Sequence, residues 1–94
     1  MIIVRDVFQA KYGKGSELVA LFKEAQKWSH NYASRILTDA SGQFFSVVVE
    51  TEAPSLADWE KRFTAILALP EFGDWFTSTM TLVDSGRREF YHIE

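Results

Sequence analysis

Apolar and polar positions along the chain alternate, then recur at helical spacing, then alternate again, and this order outlines a small two-layer domain. Ile2 to Gln9 is rich in β-branched residues and predicts a first strand. Lys11-Tyr12-Gly13-Lys14-Gly15-Ser16 punctuates it. From Ser16 onward Leu18, Leu21, Phe22, Ala25 and then Trp28 or Ser29 return every three or four residues. That spacing predicts a helix with one apolar stripe, with Glu17, Lys23, Glu24 and Lys27 on its other sides and an end near His30-Asn31. Tyr32 to Asp39 predicts a second strand and Gln43 to Glu52 a third, joined by the turn Ala40-Ser41-Gly42 as a hairpin. Ala53-Pro54-Ser55 then stops the strand. Ser55 followed by Asp58 forms a capping box for a second helix, whose stripe is Leu56, Trp59, Phe63, Ile66 and Leu67. Pro70 interrupts it, and Phe72, Trp75, Phe76 and Met80 resume helical spacing for a short extra turn or two. Asp84-Ser85-Gly86 reads as a further break, before a last strand from Arg87 to Ile93.

The order β-α-β-β-α-β is that of an α+β, ferredoxin-like sandwich, a single domain over residues 1–94 with an antiparallel four-stranded sheet. In that arrangement the first and third strands are central and both helices cover the same face. The third run, Phe44-Phe45-Ser46-Val47-Val48-Val49, is nevertheless apolar on both sides: Phe45, Val47 and Val49 point one way, Phe44 and Val48 the other. The first strand behaves alike, with Ile2, Val4 and Phe8 against Ile3 and Val7. An open face built from Ile3, Val7, Phe44, Val48 and Phe90, with part of Ile36 or Leu37, would run to roughly several hundred Å² of apolar area, and monomers rarely leave contiguous patches larger than about 300–600 Å² uncovered. A second copy of the chain or an apolar ligand is expected against it.

Composition narrows the partners. Fourteen aromatic side chains (eight Phe, three Tyr, three Trp) make up 15% of 94 residues, which suits a small core and an interface. The net charge of −3 has no basic face, so nucleic acid is not an expected partner; Lys61-Arg62 and Arg87-Arg88 each adjoin a carboxylate. Without cysteine there is no disulfide, thiolate nucleophile or Cys-based metal site. The start Met1-Ile2-Ile3-Val4-Arg5-Asp6 carries no signal-peptide pattern, and no apolar run is long enough to span a membrane, so a cytoplasmic protein is expected.

Three stretches resemble the dimeric α/β-barrel superfamily and, within it, NIPSNAP-like proteins. The strand containing Arg5 runs into Lys11-Tyr12-Gly13-Lys14, similar to the Gly-Lys helix start of that family, although Tyr12 stands where its members more often have Pro. Leu69-Pro70-Glu71-Phe72-Gly73-Asp74-Trp75-Phe76 resembles its short helix, and Asp84-Ser85-Gly86-Arg87-Arg88-Glu89-Phe90-Tyr91 its closing strand. The resemblance implies a homodimer in which two sheets face each other and enclose a barrel. It also implies either a small-ligand-binding or accessory protein, or a cofactor-independent monooxygenase or isomerase acting on an aromatic, polyketide-like compound. The Asn, Trp and His set of the haem-degrading members does not carry over, because the chain's Asn31 lies at a helix-to-strand junction and His92 on the last strand.

Candidate chemistry is sparse. Some monooxygenase members of that superfamily line a pocket between sheet and helices with polar and aromatic residues, a role that the resemblance opens to Trp28, Tyr32, Trp75 and Arg35, although aromatics at helical spacing are more often core. His30 and His92 are too few and too far apart for a zinc site, so neither metal nor cofactor is expected. A trio of Ser46, His92 and Glu50 or Asp6 can be drawn on paper, as in any chain of this length. Gly13-Lys14-Gly15-Ser16 lacks P-loop spacing and reads as a turn and helix start. Arg5 and Arg35 sit mid-strand and need a carboxylate partner such as Glu50 or Asp6, as an ion pair or as a cationic site for an acidic small molecule. The expected ligand-binding set is therefore Arg5, Trp28, Tyr32, Arg35, Trp75 and His92, with no catalytic residue among them.

Overall fold

A computed structural model of the chain describes residues 1–29 and 34–94. Strand β1 (Ile2–Ala10) leads into helix α1 (Gly15–Ser29), followed by β2 (Ser34–Thr38), β3 (Ser46–Ala53), α2 (Leu56–Leu67), α3 (Phe72–Met80) and β4 (Val83–His92). The four strands form one sheet in the order β2-β3-β1-β4, with every neighbouring pair antiparallel. This is the α+β ferredoxin-like arrangement, with α3 added between the second helix and the last strand.

Local chemistry accounts for the ends of these elements. Ser55 Oγ accepts the Asp58 backbone N–H at 3.2 Å, so the N-cap forms at the predicted residue, and the carboxylate of Asp58 accepts from the Ser55 hydroxyl at 3.1 Å where a full capping box would have it accept from the Ser55 backbone N–H. Gly13 turns the chain out of β1 at φ 81°, a conformation costly for any residue with a Cβ. The indole Nε1 of Trp75 donates to the Leu21 carbonyl at 2.8 Å and ties α3 to α1.

The even-numbered side chains of β1 face the helices. Ile2, Val4 and Ala10 are buried there, and the Phe8 ring lies 4.9 Å from that of Phe22. The core divides in two along this row. Ala10, Leu18, Phe22 and Val47 gather under α1, while Ile2, Val4 and Ala53 gather under Trp59 of α2. Asp6 stands between them, where a carboxylate cannot join an apolar layer without a partner.

Several sequence expectations are corrected. Strand β3 begins at Ser46, not Gln43, because Phe45 takes φ 60° and breaks the extended run; Phe44 is left 64% exposed. The left-handed Phe45 is held by its ring against Tyr12 at 4.9 Å and by its carbonyl, which accepts the Ala10 N–H at 3.0 Å. Strand β4 runs through Asp84-Ser85-Gly86 instead of starting after it. Gly86 pairs with Phe8, whose ring occupies the space a Cβ would need, so this glycine makes room for a cross-strand neighbour. The stripe of α2 is not a buried one: none of its residues is fully buried, and Leu56 and Leu67 are exposed. Phe90 and Ile36 belong to the helix side of the sheet, since Phe90 pairs with Val4 and packs on Trp59 at 5.1 Å, and Ile36 packs on the core under α1. Within the described residues β2 begins at Ser34, and Tyr32, with His30 and Asn31, lies outside them.

The open face carries the odd-numbered residues of β1 and their partners. One row across the sheet is charged: Arg35, Glu50, Arg5 and Glu89 are consecutive cross-strand neighbours on β2, β3, β1 and β4. The adjoining row is Leu37, Val48, Val7 and Arg87. Ile3 and Tyr91 form a pair beyond the charged row. The expected apolar face is thus crossed by ionic side chains.

Candidate functional site

Where the two halves of the core part, a cavity of about 260 Å³ opens between the sheet and the helices. Its floor is the helix side of the sheet, with Phe8 and Asp6 from β1, Val49 and Thr51 from β3, and Arg88 from β4. Phe22, Ala25 and Trp28 of α1 and Phe72, Trp75 and Phe76 of α3 form one wall. Trp59, Phe63 and Ile66 of α2 form the other. The aromatic rings pack in a chain: Trp75 meets Phe22, Trp28 and Phe72 with centroids 5.8 Å apart in each case, and Phe72 stacks on Phe76 at 5.5 Å. Tilted and edge-on contacts at these distances make a stiff apolar wall.

Polar chemistry is concentrated on the floor. Arg88 Nε donates to Asp6 Oδ1 at 2.6 Å and Nη2 to Oδ2 at 3.4 Å, a two-point ion pair between residues 82 positions apart. The guanidinium also lies over the neighbouring rings of Trp59 (4.8 Å) and Phe63 (4.5 Å), so α2 is held to the sheet partly by cation–π contacts. At the α1 edge Gln26 Nε2 donates to Ser34 Oγ at 3.0 Å. Among the described residues Asp6 and Arg88 are the only ionisable groups that line the cavity. Such a site can desolvate a flat apolar molecule and offer its polar edge one carboxylate acceptor and one guanidinium donor.

Of the residues expected to bind a ligand, Trp28 and Trp75 line this cavity. Arg5 and Arg35 point to the opposite side of the sheet, where both donate to one carboxylate. Arg5 Nη2 reaches Glu50 Oε2 at 2.7 Å, its Nε reaches the same oxygen at 3.1 Å, and Arg35 Nη2 bonds Oε1. Glu50 is only 5% exposed, and its carboxyl is held below the usual carboxylate range, first by Arg5 and then by Arg35. His92 pairs with Ile2 at the far end of β4, is exposed, and does not line the cavity. Tyr32 lies outside the described residues. The Asp6–Arg88 pair and the α2 aromatics were not anticipated. A charge at a helix-facing position between Val4 and Phe8 is the signal that could have exposed Asp6.

Among the described residues no group of three His, Asp or Glu side chains could hold a metal ion, and no helix is long and apolar enough to cross a membrane. No protein-family model matches the chain, and no curated protein matches it. Solved structures do resemble it over nearly the whole length. One is an uncharacterized NIPSNAP domain protein from Burkholderia xenovorans, 15% identical with a TM-score of 0.88, covering 100% of this chain and 95% of that one. Another is a NIPSNAP family protein from Agrobacterium tumefaciens, 15% identical with a TM-score of 0.88, covering 99% and 92%. A third is SnoaB, a cofactor-independent oxygenase from Streptomyces nogalater, 14% identical with a TM-score of 0.73, covering 99% and 92%. The chain therefore has the fold that NIPSNAP proteins share with these oxygenases.

Proposed function

We propose that this protein binds a small, flat, largely apolar molecule in the cavity between the sheet and its helices, and that it does so as a homodimer joined through the open sheet face. The observation that carries the ligand reading is the aromatic cavity with a single ion pair on its floor. An apolar cavity of about 150 Å³ accepts benzene. One of about 260 Å³ suits two fused rings carrying one hydrogen-bonding group. The dimer reading is supported by the exposed or half-buried Leu37, Val48, Val7 and Tyr91 on the open face.

The test uses 2-naphthol as a probe, read through tryptophan fluorescence, since all three tryptophans line the cavity. Saturable quenching is expected, and it should disappear in Ala25→Phe, which fills the space. Binding that Ala25→Phe leaves unchanged, or no binding up to the solubility limit, overturns the reading. A second reading, a cofactor-independent oxygenase or isomerase, is favoured by the likeness in fold to SnoaB. Desolvation by aromatic walls could support such chemistry with few polar groups. Oxygen consumption or conversion of a bound phenol separates it from binding alone.

A further inference from the structure

We infer that the charged row on the open face is a self-complementary code that fixes how two copies of this chain meet. The inference rests on the homodimer proposed above and adds the symmetry axis and the residues that specify it. Across the sheet the row reads Arg35, Glu50, Arg5, Glu89, alternating in sign from β2 to β4. With Glu52 and Arg87 the face holds three arginines and three glutamates, so it is electrically balanced although the chain carries −3.

Two sheets packed face to face by a two-fold rotation have their axis in the plane between them. If the axis runs parallel to the strands and passes between β1 and β3, the row is reversed in the second copy. Arg35 then faces the partner's Glu89, and Glu50 faces the partner's Arg5. The same rotation keeps each row opposite itself, so Val48 meets the partner's Val7 and the hydrocarbon of Arg87 covers the partner's Leu37. An axis along the row does the opposite: Arg35 would face the partner's Arg35, and Glu50 the partner's Glu50. An alternating row of four charges therefore admits the first geometry and penalises the second. A partner of unrelated sequence has no reason to present the reversed pattern, so the face selects a second copy of this chain.

The ends of the row are the testable part, because reversing them leaves the central pair of Arg5 and the buried Glu50 in place. The Arg35 side chain is 72% exposed and that of Glu89 28%, against 5% for Glu50. Sedimentation equilibrium is run on the whole chain, with circular dichroism to confirm folding. Wild type is expected to be dimeric. Arg35→Glu alone places two glutamates opposite each other at both ends of the dimer, and Glu89→Arg alone places two arginines there. Each is expected to raise the dissociation constant by at least about a hundredfold at low salt.

A one-to-one mixture of the two variants restores opposite charges at both ends, one contact with its native sign and one reversed, and is expected to form a heterodimer near wild-type affinity. A monomeric wild type defeats the homodimer reading and this inference together. A dimeric wild type whose single reversals stay dimeric, or whose folded monomeric reversals do not associate on mixing, defeats this inference alone. If either reversal does not fold, Arg35→Gln and Glu89→Gln replace them. Weaker dimers with flattened salt dependence are then expected, and unchanged affinity overturns the inference.

Discussion

The carboxylate that two arginines share on the open face is the sharpest place to test the energetics of this fold. Glu50→Gln keeps the shape of the side chain and removes its charge. The amide oxygen can still accept from Arg5 or from Arg35, but its amino group then points a donor at the other. A hydrogen bond to a charged group contributes about 1.5–3 kcal/mol, and stripping one partner from a fully buried ion pair costs about 3–5 kcal/mol. Here the arginine side chains are 41% and 72% exposed and can return to water, which places the loss near the low end, about 2 kcal/mol. For a domain of this size that is a fall in Tm of about 8–16 °C.

The pH dependence gives the same experiment a second reading. The folded-state pKa of Glu50 is depressed, first by the hydrogen bonds from Arg5 and then by those from Arg35. Its contribution is therefore complete above the unfolded value of about 4.3 and is lost as pH falls through the depressed folded value. Urea unfolding of wild type and Glu50→Gln, at one fixed protein concentration so that assembly enters equally, should differ by a constant amount between pH 6 and 8. The gap should narrow below about pH 4 as the wild-type carboxylate takes up its proton. Equal stability at pH 7, or a gap undiminished at pH 3, would refute the account of Glu50 as a charge clamped by two cations.

Two substitutions probe the cavity. Trp75→Phe retains a ring in the wall but loses the 2.8 Å bond to the Leu21 carbonyl; a stability loss of about 1 kcal/mol is expected in urea melts, and none at all would mean that α3 is not pinned to α1 in this way. Arg88→Met preserves an apolar stem over Trp59 and Phe63 while abolishing the pair with Asp6. It should weaken 2-naphthol binding about tenfold and leave naphthalene nearly unaffected, as expected for one lost polar contact. Equal losses for both probes would show that Arg88 shapes the cavity without touching the polar edge of the ligand.

How much of this was legible follows from how local each cause is. Element order, the Ser55–Asp58 cap and the break at Pro70 depend on neighbours within a few residues, and the sequence displays them directly. The start of β4 did not show, because Gly86 looks like a turn residue until Phe8 is found lying across it on the next strand. The stripe on α2 has core periodicity, yet Trp59, Phe63 and Ile66 border an open space. Periodicity reports which side of a helix is apolar and not how closely anything packs against it. Asp6 and Arg88 are 82 positions apart and meet only through the β1–β4 register, so no motif could announce their pair.

That register raises a question the apolar residues cannot answer. Ile2, Val4 and Phe8 lie on one side of β1 and Ile3 and Val7 on the other, so a strand shifted by one residue would still offer hydrophobic groups to the helices. The charges break the tie. Arg5 and Asp6 are adjacent and point to opposite faces, and each finds the opposite sign there: Arg5 on Glu50, Asp6 on Arg88. A slip of one residue in one direction would set Arg5 beside Arg88 on the helix side, and a slip in the other would set Asp6 beside Glu50 and Glu89 on the open face, so either direction brings like charges together. Hydrophobic burial makes β1 a central strand, but it is this pair of neighbouring, oppositely charged residues that decides which face turns to the helices and which lies open.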